Sequence, residues 1–179
     1  MKLHLLTAAA AVLLAACATS PIQSSGPGAL DAGGPVAVSW SDPALFSEVT
    51  YGIDRRRTLE GIWVRELAEY LRESAAPRLA AGDRLEIRLL DIDRAGEFEP
   101  WHAPRGQDIR VLRNVYPPRI NLEYRLTDGG GAVKASGEER LVDLSYLSRG
   151  GTLPHATTDT LRHEKRLLDD WLYRLLGSR

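Results

Sequence analysis

Cysteine is almost missing from this chain, which has only Cys17 among its 179 residues. A single cysteine excludes a disulfide within the chain, the usual covalent staple of small secreted domains. It also excludes zinc sites built from several cysteines, and no thiol nucleophile lies beyond residue 17. The folded part of the chain must therefore be stabilised by its apolar core.

Long hydrophobic runs and an excess of one charge are missing too. The longest apolar run, residues 5–16, is shorter than the roughly 20 residues that a membrane-spanning helix needs. The 23 basic and 24 acidic residues give a net charge of −1, and the arginines are interleaved with acids. We therefore predict neither a spanning helix nor a nucleic-acid partner.

The motifs of common catalytic sites are absent as well. The sequence contains no His-Glu-x-x-His, no Gly-x-Ser-x-Gly and no glycine-rich phosphate loop. His102, His155 and His163 are scattered along the chain. No catalytic residue, no metal and no cofactor is predicted from these patterns.

The first residues of the chain do carry a signal. Lys2 and the apolar run precede small residues at 15 and 16, which is the pattern of a secretory signal peptide. The ending Leu14-Ala15-Ala16-Cys17 resembles the lipobox of bacterial lipoproteins. In that family a diacylglycerol is joined to the cysteine sulfur and the signal is cut before the cysteine. The alternative is an ordinary signal peptide in which a cysteine lies near the cut.

The lipobox resemblance divides the chain into three parts. Residues 1–16 are the expected signal peptide. Residues 17–35 combine a lipidated Cys17 with a flexible tether rich in Ser, Gly, Pro and Ala, and residues 36–179 form a single globular domain. In lipoproteins an aspartate after the cysteine retains the protein at the inner membrane. Here Ala18 follows, so we expect a lipid anchor in the outer membrane, facing the periplasm.

Alternation of apolar and polar residues predicts four strands, at 36–40, about 85–92, 119–127 and about 132–141. A break at Leu89-Leu90 predicts a β-bulge, and the turn at 128–131 makes the last two strands an antiparallel hairpin. Two amphipathic helices are predicted, from Thr58 to about residue 76 and from Thr158 or Asp159 to Gly177. The predicted fold is α+β, with one mainly antiparallel sheet of about four strands and both helices packed on one face.

The last predicted helix carries an acid in its apolar stripe. We expect its Leu161, Leu168 and Leu172 to pack on the apolar side of strand 119–127, with Leu126 and Trp63 in the same core. Glu164 projects into that stripe, where a carboxylate is costly unless it is paired. The predicted partner is Arg119, with Arg140 as the alternative, and the other interpretation is a ligand-facing or catalytic acid.

Six residues are candidates for a binding site: Asp91, Asp93, Arg119, Glu138, Asp143 and Glu164. Asp91 and Asp93 lie two apart at a strand end, so their side chains point the same way. They could contribute to a calcium site, although a solvated strand end is the simpler interpretation. Ser145, His155 and Asp143 could form a Ser/His/Asp set, but any chain of this length offers such a combination.

Four segments together resemble a known family: residues 90–96, 116–120, 137–143 and 161–171. They look like those of a proteobacterial family catalogued only as domain-of-unknown-function family 3016. The resemblance covers most of the chain from Val38 to Leu172. It implies secreted proteins and lipoproteins, and it carries over no activity and no catalytic residue.

Two classes of function are consistent with these observations. The first is an accessory or binding module of the cell envelope, held to the membrane by the lipid on Cys17 and working on a protein partner or a small ligand. The alternative is a small periplasmic hydrolase or a metal-dependent enzyme. The two differ in whether Asp91, Asp93 and a histidine meet in one pocket.

Replacing the anchor residue tests the lipoprotein prediction. Cys17→Ser removes the sulfur that would receive the lipid, so we expect the variant to lose palmitate labelling and to leave the membrane fraction. Labelling of the wild-type chain in the same cells is the control. Unchanged labelling of Cys17→Ser would contradict the prediction.

Overall fold

A computed structural model describes residues 27–52, 63–99, 101, 109–148, 155 and 157–177 of the chain. Cys17, the predicted helix start at Thr58, and His102 lie outside these described residues. The predictions made for them are therefore not addressed by the structure.

The described residues form seven strands, three α-helices and two short 3-10 helices. The strands are β1 (Gly28–Ala29), β2 (Val36–Trp40), β3 (Arg84–Asp93), β4 (Glu97–Phe98), β5 (Arg110–Val111), β6 (Arg119–Thr127) and β7 (Val133–Val142). The helices are α1 (Ser47–Thr50), α2 (Trp63–Ala75) and α3 (Arg162–Leu176), and the 3-10 turns are Pro43–Leu45 and Ala76–Arg78.

Five strands build the main sheet in the order β1-β2-β3-β6-β7. Only β2 and β3 run parallel, because α2 lies between them in the chain and returns it to the same edge. The other three pairings are antiparallel, so the predicted mainly antiparallel α+β fold is confirmed.

The predicted strand count was too low. β1 adds a fifth strand to the main sheet, and β4 and β5 form a second sheet of two strands. The polar residues 94–108 predict a loop, which misses β4, whereas 109–115 predict a short strand or an ordered edge and contain β5. β1 and β4 are each two residues long, too short to show the alternation by which a strand is recognised.

The long strands follow their predicted pattern. In β3, Leu85, Ile87 and Leu89 are buried while the residues between them are exposed. The register with β6 shifts between Leu89 and Asp91, which confirms the β-bulge. After the bulge Ile92 is buried again, so both halves of the strand face the core.

Both long helices contribute to one core on one side of the sheet. The predicted stripe of Leu161, Leu168 and Leu172 is fully buried, in a cluster with Ile120 and Leu122 of β6. Leu126 and Trp63 belong to the same cluster, and Tyr124 is partly buried against it. Tyr124 also meets Trp171 of α3 edge to face at 5.6 Å between ring centroids. The predicted packing is confirmed.

The ends of α3 have different local causes. Gly177 terminates the helix with φ of +84°, a conformation that side chains with a Cβ rarely adopt. The N-cap residue is Leu161, which has no capping side chain. Asp159 Oδ1 instead accepts the N–H of Leu161 at 2.8 Å, one step before the helix. Within the described residues, none of the helices combines the length and apolar character needed to span a membrane.

Truncation of Leu168 tests this core. The side chain has 0% exposure, so Leu168→Ala should lower the free energy of unfolding by roughly 2–5 kcal/mol. Urea denaturation measures the change. Tyr173→Ala is the matched control, because Tyr173 lies on the same helix with 62% exposure and its truncation should cost about 0.5 kcal/mol or less. Equal midpoints for both variants would contradict the packing described here.

Candidate functional site

Three loops meet at one end of the main sheet, which we call the loop end. Here β2, β3 and β7 finish and β6 begins, and the loops are 41–52, the described residues of 94–118, and 143–148. The first loop continues from Trp40 alongside β3, because Ser41 N–H donates to Leu89 O at 2.9 Å. Five of the six candidate site residues lie at this end or on α3 beside it.

A buried ion pair joins the first two loops. Glu48 of α1 is 4% exposed and receives both terminal nitrogens of Arg110 of β5, at 2.7 and 2.8 Å. Glu48 Oε2 also accepts the N–H of Arg94 at 2.8 Å. Arg110 Nε donates to Ala95 O at 2.7 Å. A two-pronged contact of this kind fixes geometry more strongly than a single charge–charge contact.

Glu164 lies beside this pair, with 1% exposure. Its Oε1 accepts the N–H of Ala95 at 2.6 Å, and its Oε2 has no hydrogen-bond partner among the described residues. Burial raises the pKa of Glu164, and the nearby charge of Arg94 opposes that shift. Arg94 in turn lies over the Trp63 ring at 5.6 Å and donates to Thr160 O at 3.3 Å.

The predicted partners of Glu164 were wrong. Arg119 pairs with Asp93 at 2.9 Å, and Arg140 lies 3.8 Å from Glu138. Arg119 is on the side of β6 that the helices do not cover, as its sequence pattern indicated, and the chain makes no bend that would bring it to Glu164. The backbone after the end of β3 supplies the hydrogen bond instead.

Asp91 and Asp93 serve local structure. Asp91 of β3 accepts the N–H and the hydroxyl of Ser47 at 2.6 and 2.7 Å, so its carboxylate caps the start of α1. Burial raises the pKa of Asp93, while its contact with Arg119 lowers it. Among the described residues no group of three or more His, Cys, Asp or Glu side chains could hold a metal ion.

Asp143 of the third loop and His163 of α3 are both buried. Asp143 Oδ1 accepts the N–H of Ser145 at 3.0 Å, and Tyr146 meets the His163 ring edge to face at 4.9 Å. Neither ring nitrogen of His163 has a partner among the described residues. Burial, reinforced by the charge of Arg162, lowers the pKa of His163 to about 4, so the ring is neutral at physiological pH.

His155 does not join Ser145 and Asp143. Its Nε2 lies 3.1 Å from Asp169 Oδ2 and 3.4 Å from Tyr70 Oη, between α2 and α3. Burial raises the pKa of Tyr70 well above its usual value, which keeps the phenol protonated. The Ser/His/Asp set is therefore not assembled, and His155 attaches the loop before α3 to the helix pair.

Glu138 is the one candidate residue far from the loop end. It lies on β7, on the side of the sheet without helices, which we call the open face. There, three neighbouring sets of residues that are register partners across the strands line a concavity of about 710 Å³. Its lining comes from β2, β3, β6 and β7 and from residues 29–32 at the end of β1. It includes Asp31, Ala37, Ser39, Glu86, Arg88, Glu123, Arg125, Ser136 and Glu138.

The charges of the open face are incompletely paired. Arg88 and Glu123 lie 3.6 Å apart, with half of each side chain exposed. Arg125 and Glu86 are register partners, yet neither forms an ion pair with a described residue within 4 Å. Such groups remain available to a ligand. The open face can therefore offer both a cation and an anion to a polar partner.

The sequence had not indicated two of the central residues, Glu48 and Arg110. Both lie in segments without periodicity, and the pair spans 62 residues of sequence. The signal that existed was indirect, since Arg110 lies within residues 109–115, which favour a short strand or an ordered edge. The alternation of strand 119–127 places Arg125 on its polar side.

Comparison with known proteins gives one match. A family model described as "Protein of unknown function (DUF3016)" matches residues 34–174, most of the chain. All four segments that carried the resemblance lie inside this range. No curated protein matches the chain, and no solved structure matches it either.

A double-mutant cycle tests the buried ion pair. Glu48→Gln should lower the free energy of unfolding by roughly 3–5 kcal/mol, because it leaves the Arg110 charge buried and unpaired. Arg110→Met should cost much less in the Glu48→Gln background than in the wild type. The exposed Asp93–Arg119 pair is the control, and Asp93→Asn should cost about 1 kcal/mol or less. Additive effects of the Glu48 and Arg110 changes would contradict the coupling.

Proposed function

The chain belongs to the DUF3016 family, and we propose that it is a lipoprotein of the proteobacterial envelope that works as an accessory or binding module. The lipid on Cys17 holds it to the outer membrane, and the domain faces the periplasm. The lipobox-like ending at Cys17 and the small-residue segment after it support the anchor.

The observation that carries the binding role is the concavity of the open face. Helices cover one side of the sheet, and the other side presents two rows of polar side chains that include Arg125 and Glu86, which form no ion pair among the described residues. A surface that serves only solubility needs no concave shape, whereas a binding site is concave and carries a few converging polar groups. We expect the partner to carry a carboxylate that meets Arg125.

The alternative of a hydrolase or metal-dependent enzyme finds less support. Both oxygens of Asp91 accept hydrogen bonds from Ser47, and Asp93 is paired with Arg119. His155 and His163 contact other residues, Asp169 and Tyr146. The described residues thus bring no histidine to the two aspartates.

Photo-crosslinking in living cells tests the binding role. A benzoylphenylalanine at position 136 lies on the open face, and one at position 173 lies on the exposed side of α3 as the matched control. We expect a specific adduct from position 136 and none from 173. Arg125→Glu should reduce that adduct about tenfold, if the lost contact is worth about 1.4 kcal/mol.

The charge reversal has its own control in Arg174→Glu, which changes an exposed arginine of α3 by the same charge. This variant should leave the adduct from position 136 unchanged. Equal adducts from positions 136 and 173, or an adduct insensitive to Arg125→Glu, would reject the open face as the binding surface.

A further inference from the structure

Exposed apolar side chains concentrate at the loop end. Among the described residues, ten large hydrophobic side chains are exposed. Two lie elsewhere, Val133 at the far end of β7 and Tyr173 on α3. The other eight, with 44–81% exposure, lie on the three loops or on the last residue of β7: Leu45, Tyr51, Trp101, Ile109, Val115, Val142, Leu144 and Leu147.

The loops that carry these side chains are fastened to one another. Glu48 of the first loop binds Arg110 of the second. Tyr146 Oη of the third loop donates to Arg113 O of the second at 2.8 Å. The apolar side chains therefore sit on one connected end of the molecule rather than on independent loops.

Acidic groups are withdrawn from this surface. Glu48, Glu99 and Asp143 have exposures of 3–5%, and Asp91 and Asp93 are partly buried in hydrogen bonds. No described acid at this end is as exposed as the eight apolar side chains. The described part of this surface thus combines apolar contact area with little negative charge, which suits an interface carrying anionic headgroups. Tyrosine and tryptophan are also the residues that favour the membrane–water interface.

The tether reaches the domain at the same end. Gly28 of β1 is the register partner of Trp40, the last residue of β2, so the chain joins the sheet at the loop end. Cys17 lies eleven residues before Gly28 in the sequence. Fully extended, that segment spans about 40 Å at most. A lipid on Cys17 would therefore keep the loop end within about 40 Å of the bilayer surface.

We propose that the loop end is a second membrane contact, which rests its exposed apolar side chains on the surface of a phospholipid bilayer. This inference rests on the lipid anchor of the proposed function. The acyl chains supply attachment, and the loop end supplies orientation, because a flexible tether alone leaves the domain free to tumble. In this orientation the concavity of the open face lies beside the membrane and remains accessible from the periplasm.

Site-directed spin labelling tests the contact on the lipidated full chain. Cys17 is the only natural cysteine and its sulfur carries the lipid, so an introduced cysteine is the single labelling site. Nitroxides are placed at Val115→Cys and Leu144→Cys, with Val133→Cys and Tyr173→Cys as controls of similar exposure. The protein is reconstituted into vesicles of phosphatidylethanolamine and phosphatidylglycerol. We expect the ratio of oxygen to nickel-chelate accessibility to be severalfold higher at 115 and 144 than at 133 and 173.

A charged variant separates contact from attachment. In the Leu144→Asp variant, a nitroxide at Leu147→Cys should have the oxygen and nickel-chelate accessibility of a label in water. Flotation should still recover this variant with the vesicles. All five labelled sites are at the surface, and thermal unfolding verifies that the variants fold.

Each other outcome has a defined meaning. Equal accessibility at 144 and 133 on floating vesicles overturns the membrane contact and leaves the anchor intact. Labels that are aqueous on vesicles but protected in native membranes also overturn it, because a protein then covers the loop end. Failure of the wild type to float with vesicles would instead reject the lipoprotein itself.

Discussion

The ion pair between Glu48 and Arg110 holds the loop end together. This contact joins α1 to the backbone after β3 and to the small β4–β5 sheet. Each charge would be expensive to bury alone, and together they satisfy one another and three backbone groups of Arg94 and Ala95. A core of leucines could compact these segments, but it could not fix which backbone atoms meet.

Glu164 extends this arrangement to the last helix. Its hydrogen bond to the Ala95 N–H ties α3 to the backbone that Arg110 holds from the other side. This hydrogen bond fixes the first turn of α3 against the backbone after β3. The carboxylate in the apolar stripe therefore makes a structural contact through Oε1, while its Oε2 has no hydrogen-bond partner among the described residues.

The two proposed surfaces both follow from the positions of the helices and of the buried charged groups. The helices and the buried charges occupy one face and one end of the sheet. The open face therefore keeps charges, such as Arg125, that form no ion pair with another described residue. At the loop end the acids are turned inward to make these contacts, which leaves apolar side chains such as Val115 and Leu144 outside. Polar binding and bilayer contact are then separated by position on one small domain.

Elements with strong periodicity were predictable from the sequence: β3 with its bulge, the β6–β7 hairpin, the leucine stripe of α3 and its end at Gly177. It also identified the family and marked Cys17 as the predicted anchor. These features are local, because alternation, turns and helix ends are written in neighbouring residues.

Contacts between residues that are distant in the sequence became visible only in the folded chain. The parallel β2–β3 pairing, the two-residue strands and the Glu48–Arg110 pair join segments up to 62 residues apart and leave no periodic trace. The partner of Glu164 proved to be a backbone N–H, which every residue except proline carries and no side-chain pattern can mark. The concavity of the open face likewise became visible only in the structure, because its side chains come from strands that are far apart in the sequence.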